Sequence, residues 1–320
     1  MERVSMIILN WNKKDLLAKC LNTLKAKTDY DNYRVVVVDN GSQDSSAEMV
    51  RKKFSWVELI ENKENLGWSK GNNVGIKYVL ENHDPEMILV INNDIEVIEK
   101  DWLKKLVTVC SKTNVGITGC KLLYPDGKIQ NAGTRIDFRG MKNYKSEVFK
   151  EDVYVDAVYG ACLLIKREVI EKIGLFDEFF SPFLLDETDY CFRAREIGYK
   201  IAYTPKVALI HHESVSLNSV ESDYVFYIRH RNRVRFMLIY YPIRWLIMAI
   251  PFEFRNFMEV FLESRDVSQI STKPVSLSNL RITKKPLDRF KYFLEAYLAN
   301  LKEMSVIIYK RKNRIEKIWY

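Results

Sequence analysis

Apolar residues in the first two-thirds of the chain come in short runs that stop abruptly in polar residues, with helical-period stretches between them. Val4 to Leu9, Arg34 to Val38, Val57 to Ile60 and Met87 to Ile91 read as strands, and their unbroken apolar character predicts burial on both faces. The first run closes in Asn10-Trp11-Asn12, the second in Asp39-Asn40-Gly41-Ser42 and the fourth in Asn92-Asn93-Asp94. Leu16, Leu17, Cys20, Leu21 and Leu24 recur at helical spacing, with Asn12 and Asp15 placed to cap that helix. Further helices are expected from about Asp44 to Lys53 and, after the loop Asn65 to Gly71, from near Asn72 to Leu80. This β-α-β-α-β-α-β order predicts an α/β fold with a parallel sheet. The polar residues after the strands then gather at the carboxyl edge of that sheet, where open α/β sheets bind ligands.

The pattern continues with a helix from Trp102 to Cys110 and a strand from Val115 to Thr118. Pro125-Asp126-Gly127 predicts a hairpin turn between short runs spanning Lys121 to Gln130. Val153 to Ile165 reads as a strand interrupted at Gly160, and Arg167 to Ile173 as a short helix ending at Gly174. Asp186 opens a helix that Gly198 ends; Lys200 to Tyr203 and Val207 to Ile210 are two extended pieces, the second closing in His211-His212. From there the alternation stops, which divides the chain into residues 1–220 and a mostly helical region, 221–320.

Tyr224 to Tyr241 is expected to be helical. Phe236 to Phe252 is nearly all apolar, but Arg244 sits inside it and Pro242 and Pro251 break it. A central Arg costs about 2.5–3.5 kcal/mol on insertion scales. This segment is therefore expected to lie on a bilayer or pack on the main domain rather than span a membrane. Ser264 to Leu280 is polar and reads as a linker.

Charge sharpens that division. Residues 221–320 carry 19 Lys and Arg against 10 Asp and Glu, whereas the whole chain is +8, so the first 220 residues are near neutral. An anionic membrane surface or nucleic acid suits such a region. Nucleic-acid binding would call for stacking aromatics on a sheet, and this region reads helical, so no nucleic acid is expected. The five cysteines have apolar neighbours and no CxxC spacing, which predicts buried thiols in a reducing compartment. The N-terminus runs straight into a strand, so a chain without a secretory leader is expected, cytoplasmic or peripheral on the cytoplasmic face of a membrane.

Asp94 is an oxygen donor suited to a hard cation such as Mg²⁺ or Mn²⁺. A plain turn is the alternative for Asn92 to Asp94, since both residue types favour turns. No GxGxxG or Walker spacing occurs in the glycine-bearing loop, which excludes the usual dehydrogenase and P-loop patterns.

Seven segments in order resemble the inverting family 2 glycosyltransferases of the GT-A fold, in particular their rhamnosyltransferase-like branch. They are Ile8 to Asn12, Val38 to Asp44, Asn65 to Asn73, Asn92 to Glu96, Gly160 to Cys162, Asp186 to Arg195, and His211-His212. They fall within residues 4–216. The resemblance implies a Rossmann-like, mostly parallel sheet flanked by helices, with residues 221–320 as a helical extension. It also implies single-displacement transfer of a sugar from a nucleoside diphosphate to a glycan or lipid-linked glycan. Rhamnose is the first expected sugar and a UDP-sugar the second. A sugar-nucleotide pyrophosphorylase is the competing enzyme class, but Asn10-Trp11-Asn12-Lys13 is not its glycine-rich first loop.

Under this resemblance Asp39, beside the backbone of Leu9 and Asn10, accepts hydrogen bonds from the base or ribose. Asn65, Gly67 and Lys70 belong to a loop over the nucleotide, with Lys70 near phosphate. Asn92-Asn93-Asp94 stands at the family's DxD position, so Asp94 would hold Mn²⁺ or Mg²⁺ with His211, Asn92 would meet ribose or sugar, and Asn93 would act as a spacer within the donor site. Glu187 matches the catalytic base, with Asp186 next to it as the other candidate. Asp156, Gly160, Ala161 and Asp189 are placed on the acceptor side, and Asp189 is also spaced to pair with Arg193.

Overall fold

A computed structural model describes residues 1–145, 149–212, 222–265 and 286–314. It divides into two compact units: Met1–Ile136 with Met141–Glu213, and Asp137–Gly140 with Ser214–Tyr320. The predicted linker lies largely outside the described residues.

The first unit is built on one large sheet. Strands β1 (Val4–Asn10), β2 (Tyr33–Asp39), β3 (Glu58–Glu61) and β4 (Met87–Asn92) lie in the order β3-β2-β1-β4, all parallel. Their register sets Asn10 opposite Asp39 and Leu9 opposite Asn92, so the polar ends of three strands share one edge. Between β1 and its parallel neighbours the chain leaves in two directions, which opens the crevice used for ligands in this architecture.

The sheet is buried from both sides, as the apolar runs require. Met6, Ile8, Val35, Val37, Leu89 and Ile91 pack toward helices α1 (Lys14–Lys27) and α4 (Trp102–Cys110). Ile7, Val36, Val38, Ile88 and Val90 alternate onto the other face, with Ile76 and Val79 of α3 (Trp68–Asn82). Each such side chain contributes about 1.5–3 kcal/mol of burial. Helix α3 lies close on β1 because Gly71 and Gly75 carry no side chain: a Cβ there would come within 2.5 Å of Leu9 and 2.6 Å of Ile7.

Several elements differ from expectation. Helix α3 begins at Trp68 rather than near Asn72, which places Lys70 in its first turn. Neither Asn12 nor Asp15 caps α1; the amide of Lys14 donates to Asp44 Oδ2 at 2.8 Å, and Asn12 Oδ1 instead accepts from the amide of Gln43. That cap comes from a loop thirty residues away in sequence, and helix α2 (Ser46–Lys53) follows that loop. A three-residue strand, β5 (Ile95–Val97), follows the Asn92–Asp94 turn and was too short to read. Strands β6 (Val115–Leu123) and β7 (Ile129–Asn131) flank the predicted turn, and β8 (Thr134–Asp137) with β9 (Gly140–Asn143) makes a second, unpredicted hairpin.

The expected Val153–Ile165 strand is two strands, β10 (Val153–Val155) and β11 (Cys162–Lys166). Strand β11 runs antiparallel between β4 and β6, which makes the sheet mixed. Helices α5 (Arg167–Ile173) and α6 (Asp186–Glu196) lead to β12 (Lys200–His211), a single strand with irregular register where two pieces were expected.

The second unit contains helices α7 (Ser222–Tyr240), α8 (Ile243–Arg265), α9 (Pro286–Lys302) and α10 (Met304–Lys312). Helix α8 runs through Pro251 instead of breaking. Pro251 has no N–H to donate to the carbonyl of Ile247, a residue exposed on the preceding turn. Among the described residues no helix is long and apolar enough to cross a membrane.

Candidate active site

The edge that collects the strand ends is a connected set of hydrogen bonds. Buried Asn10 is one centre: its Nδ2 donates to Asp39 Oδ2 at 3.0 Å and to Ser42 Oγ at 3.1 Å, and its Oδ1 accepts from Asn93 Nδ2 at 2.6 Å. Asp39 Oδ1 accepts from the amide of Ser42 at 2.8 Å. The turn after β2 is thus tied to the turn after β4 through Asn10, which also receives the amide of Asn40 on its carbonyl at 2.7 Å. Leu9 sits one residue before, partly buried.

The neighbouring loop is held from within. Asn65 Oδ1 accepts from Asn40 Nδ2 and from the amide of Gly67, both at 2.9 Å. Gly67 has φ +81°, and a Cβ there would meet the carbonyl of Pro182 at 2.9 Å, the same carbonyl that accepts from the amide of Trp68 at 2.7 Å. Only glycine allows that contact. Lys70 is exposed on the first turn of α3.

A second centre surrounds the end of β4. Strand β5 pairs with the end of β12, which sets His211 opposite Ile95 and brings its ring to Asp94. His211 Nε2 lies 3.2 Å from Asp94 Oδ1, yet that buried carboxylate oxygen has no hydrogen-bond partner. Asn92 Nδ2 lies 3.3 Å from the same Nε2, and Gln130 Oε1 lies 2.7 Å from Nδ1. An amide oxygen only accepts and an amide nitrogen only donates. The tautomer assigned by these partners therefore carries its proton on Nδ1 and a lone pair on Nε2.

A lone pair beside an unpartnered carboxylate oxygen suits a divalent cation, and the 3.2 Å separation matches adjacent ligands at about 2.1 Å from one ion. Among the described residues no group of three or more His, Cys, Asp or Glu gathers to hold a metal. Two ligands fit an ion that completes its shell with phosphate oxygens and water.

The third part is the start of α6. Leu184 and Leu185 both have left-handed φ, 72° and 73°, immediately before Asp186 and Glu187. Two bulky residues in that region mark a strained turn of the kind that accumulates at functional sites. Asp186 is 1% exposed; Ser69 Oγ donates to its Oδ1, its Oδ2 has no partner, and burial pushes its pKa well up. Glu187 is less enclosed, and burial raises its pKa to about 7. It lies against Gly160: a Cβ on Gly160 would stand 3.4 Å from Glu187 Cβ and 3.1 Å from the Trp68 ring. Trp68 Nε1 in turn points at Asn92 Oδ1, 3.5 Å away. Ala161 is buried, and its carbonyl accepts from the amide of Asn92 at 3.1 Å.

Two residues expected on the acceptor side are spent elsewhere. Asp189 is fully buried and takes Arg193 Nε at 2.8 Å, while Arg193 donates to the carbonyls of Ile173 and Leu175. Asp156 accepts from the amide of Ile136 at 2.8 Å and faces Arg195 at 3.1 Å. Both carboxylates are engaged by arginines of the same unit.

Residues 5–174, just over half the chain, match Glycosyl transferase family 2. The chain belongs to that family. It is 30% identical over 240 residues to Agl10, a low-salt glycan biosynthesis hexosyltransferase of Haloferax volcanii, covering 73% of this chain and 75% of that one. It is 30% identical over 241 residues to the O-antigen biosynthesis protein RfbC of Myxococcus xanthus (69% of this chain, 18% of RfbC). It is 27% identical over 220 residues to the dTDP-rhamnosyl transferase RfbF of Shigella flexneri (64% and 67%). The chain spans 18% of RfbC and 27% of y4gI, an uncharacterised Sinorhizobium fredii protein matched at 29% identity over 76% of this chain.

The mannosyltransferase PcManGT of Pyrobaculum calidifontis, solved with GDP-Man and Mn²⁺, has a TM-score of 0.54 at 16% identity, over 97% of this chain and 74% of that one. GalNAc-T7, solved with UDP, GalNAc and Mn²⁺, has a TM-score of 0.60 at 16% identity, over 95% and 58%. The fold of this family 2 chain is GT-A.

Gln130 of this family 2 site had no signal in the sequence, and Trp68 and Ser69, although within the matching Asn65 to Asn73 segment, were given no role. Gln130 meets His211 from 81 residues away, and Trp68 and Ser69 looked like loop residues until α3 began there.

Proposed function

We propose that this chain is an inverting glycosyltransferase that moves a sugar, rhamnose first, from a nucleoside diphosphate to a glycan or lipid-linked glycan on the cytoplasmic face of a membrane. The observation that carries this is the unpartnered, buried Asp94 oxygen beside the Nε2 lone pair of His211, a short chain of contacts from Glu187. The relationship to RfbF supports rhamnose, and the relationships to RfbC and Agl10 support a glycan acceptor.

In this reading Asp39 and the backbone at Leu9 and Asn10 hold base and ribose, with Asn93 bracing Asn10. Asn65 and Gly67 shape the loop, and Lys70 meets phosphate. Asn92 orients His211 and faces the sugar. A divalent metal, Mn²⁺ or Mg²⁺, held by Asp94 and His211 would neutralise charge on the departing diphosphate. Glu187 takes the proton of the acceptor hydroxyl as its oxygen bonds to the anomeric carbon. The bond from that carbon to phosphate breaks on the opposite side, and its electron pair leaves with the nucleoside diphosphate. Asp186 is too enclosed to reach an acceptor and, with Ser69, anchors the turn that presents Glu187. Gly160 leaves room beside Glu187, and Ala161 fixes the end of β4.

Thermal stabilisation by a panel of nucleoside-diphosphate sugars with Mn²⁺ tests the donor. A shift with at least one sugar nucleotide is expected; none across the panel would reject the reading.

A further inference from the structure

Helix α8 carries an apolar stripe that its own unit leaves open. Ile243, Ile247, Ile250 and Phe254 recur at i, i+4, i+7 and i+11, and each is 61–69% exposed. At 100° per residue they fall within about 60° of the helix circumference. Farther along, the same face is used: Phe257 and Phe261 pack on Phe290 of α9 with ring centroids 5.5 and 5.3 Å apart. The first three turns have no such cover among the described residues.

The charge beside the first three turns of the stripe is basic. Arg244 and Arg255 are exposed on its shoulder, with no acidic residue between Pro242 and Phe252. Glu253 is turned inward, where Arg233 Nη2 donates to it at 2.6 Å and the hydroxyl of Tyr297 at 2.5 Å. The next carboxylate, Glu259, lies 3.3 Å from Arg255.

We propose that this face of α8 docks on an anionic lipid surface, with Ile243, Ile247, Ile250 and Phe254 entering the headgroup region and Arg244 and Arg255 meeting lipid phosphates. The helix lies in the interface rather than across it, as its charged shoulder requires. Lipid is favoured over a second copy of the chain because a symmetric pairing on this face would bring two sets of the same arginines into one small interface. The net +9 of residues 221–320 attracts the same anionic surface.

Co-sedimentation of the full chain with phosphatidylcholine vesicles, with and without phosphatidylglycerol, tests this without any sugar donor, so its failure leaves the transferase reading untouched. Binding to the anionic vesicles alone is expected, weakening with added salt. An Ile247→Asp/Ile250→Asp variant should lose about tenfold or more of that binding. Both positions are exposed, so its far-ultraviolet circular dichroism should match the parent's. Equal binding by parent and variant would overturn the proposal, as would no binding by the parent. A parent dimer that the variant converts to monomer, with no vesicle binding, would assign the face to a second copy instead.

Discussion

Gln130 Oε1 sits 2.7 Å from His211 Nδ1, and this contact decides what the other ring nitrogen offers. With Nδ1 as donor, Nε2 keeps the ring's one lone pair, which accepts from Asn92 Nδ2 and lies 3.2 Å from Asp94 Oδ1, where a metal would take it instead. Outer partners of this kind are worth about 10–100-fold in metal affinity. Gln130→Leu should therefore weaken Mn²⁺ binding by about that factor while leaving metal-free nucleotide binding unchanged. Titrating Mn²⁺ by electron paramagnetic resonance reads the effect directly, and unchanged Mn²⁺ affinity would remove Gln130 from the site.

Asp94→Ala should abolish transfer with little change in stability. The Oδ1 atom makes no hydrogen bond that the fold would lose. Losing charge stabilisation at the leaving group is expected to lower turnover by about 10²–10³-fold or more. Wild-type turnover in this variant would end the metal role assigned to Asp94.

Glu187 sets the pH dependence. Its folded pKa is raised to about 7, so the base is mostly protonated below that pH and ionised above it. Transfer should rise about tenfold per pH unit below 7 and level off above it. Glu187→Gln should bind donor and lose transfer; if Asp186→Asn is the dead variant and Glu187→Gln is active, the base is Asp186.

Stability follows with the opposite sign. A carboxyl raised from 4.5 to about 7 keeps its proton in the folded state longer than in the unfolded chain. Its ionisation therefore removes stability as pH climbs between those values. Urea midpoints of the parent should fall relative to Glu187→Gln across that window, and parallel curves would show that Glu187 is not so perturbed.

Packing of α3 on β1 offers a test away from the chemistry. A Cβ at Gly75 would press to 2.6 Å from Ile7, so Gly75→Ala should cost about 1–3 kcal/mol by urea unfolding. A neutral result would show that α3 moves freely off the strand.

The strand ends were legible because each apolar run stops in a polar cluster: Asn10, Asp39 and Asn92 to Asp94 stand where the periodicity placed them. The pairings that orient them were not, since they cross between distant segments. Nothing near Lys14 announces that Asp44 caps its helix, and nothing near His211 announces Gln130. Asp156 shows the converse: it was placed on the acceptor side, but it meets Arg195, which the fold brings from another segment, whereas the Asp189–Arg193 pair was legible from its four-residue spacing. Strand β5 was hidden by length alone, and α8 by a proline that the helix runs through.

Following the phosphorus signals of a bound sugar nucleotide tests the central claim most directly. With Mn²⁺ and a glycan or lipid-linked glycan acceptor, phosphorus NMR should show the donor converting to free nucleoside diphosphate, and Asp94→Ala should not produce it. Formation of a nucleoside triphosphate and a sugar 1-phosphate on adding pyrophosphate would instead mark a pyrophosphorylase and contradict the account.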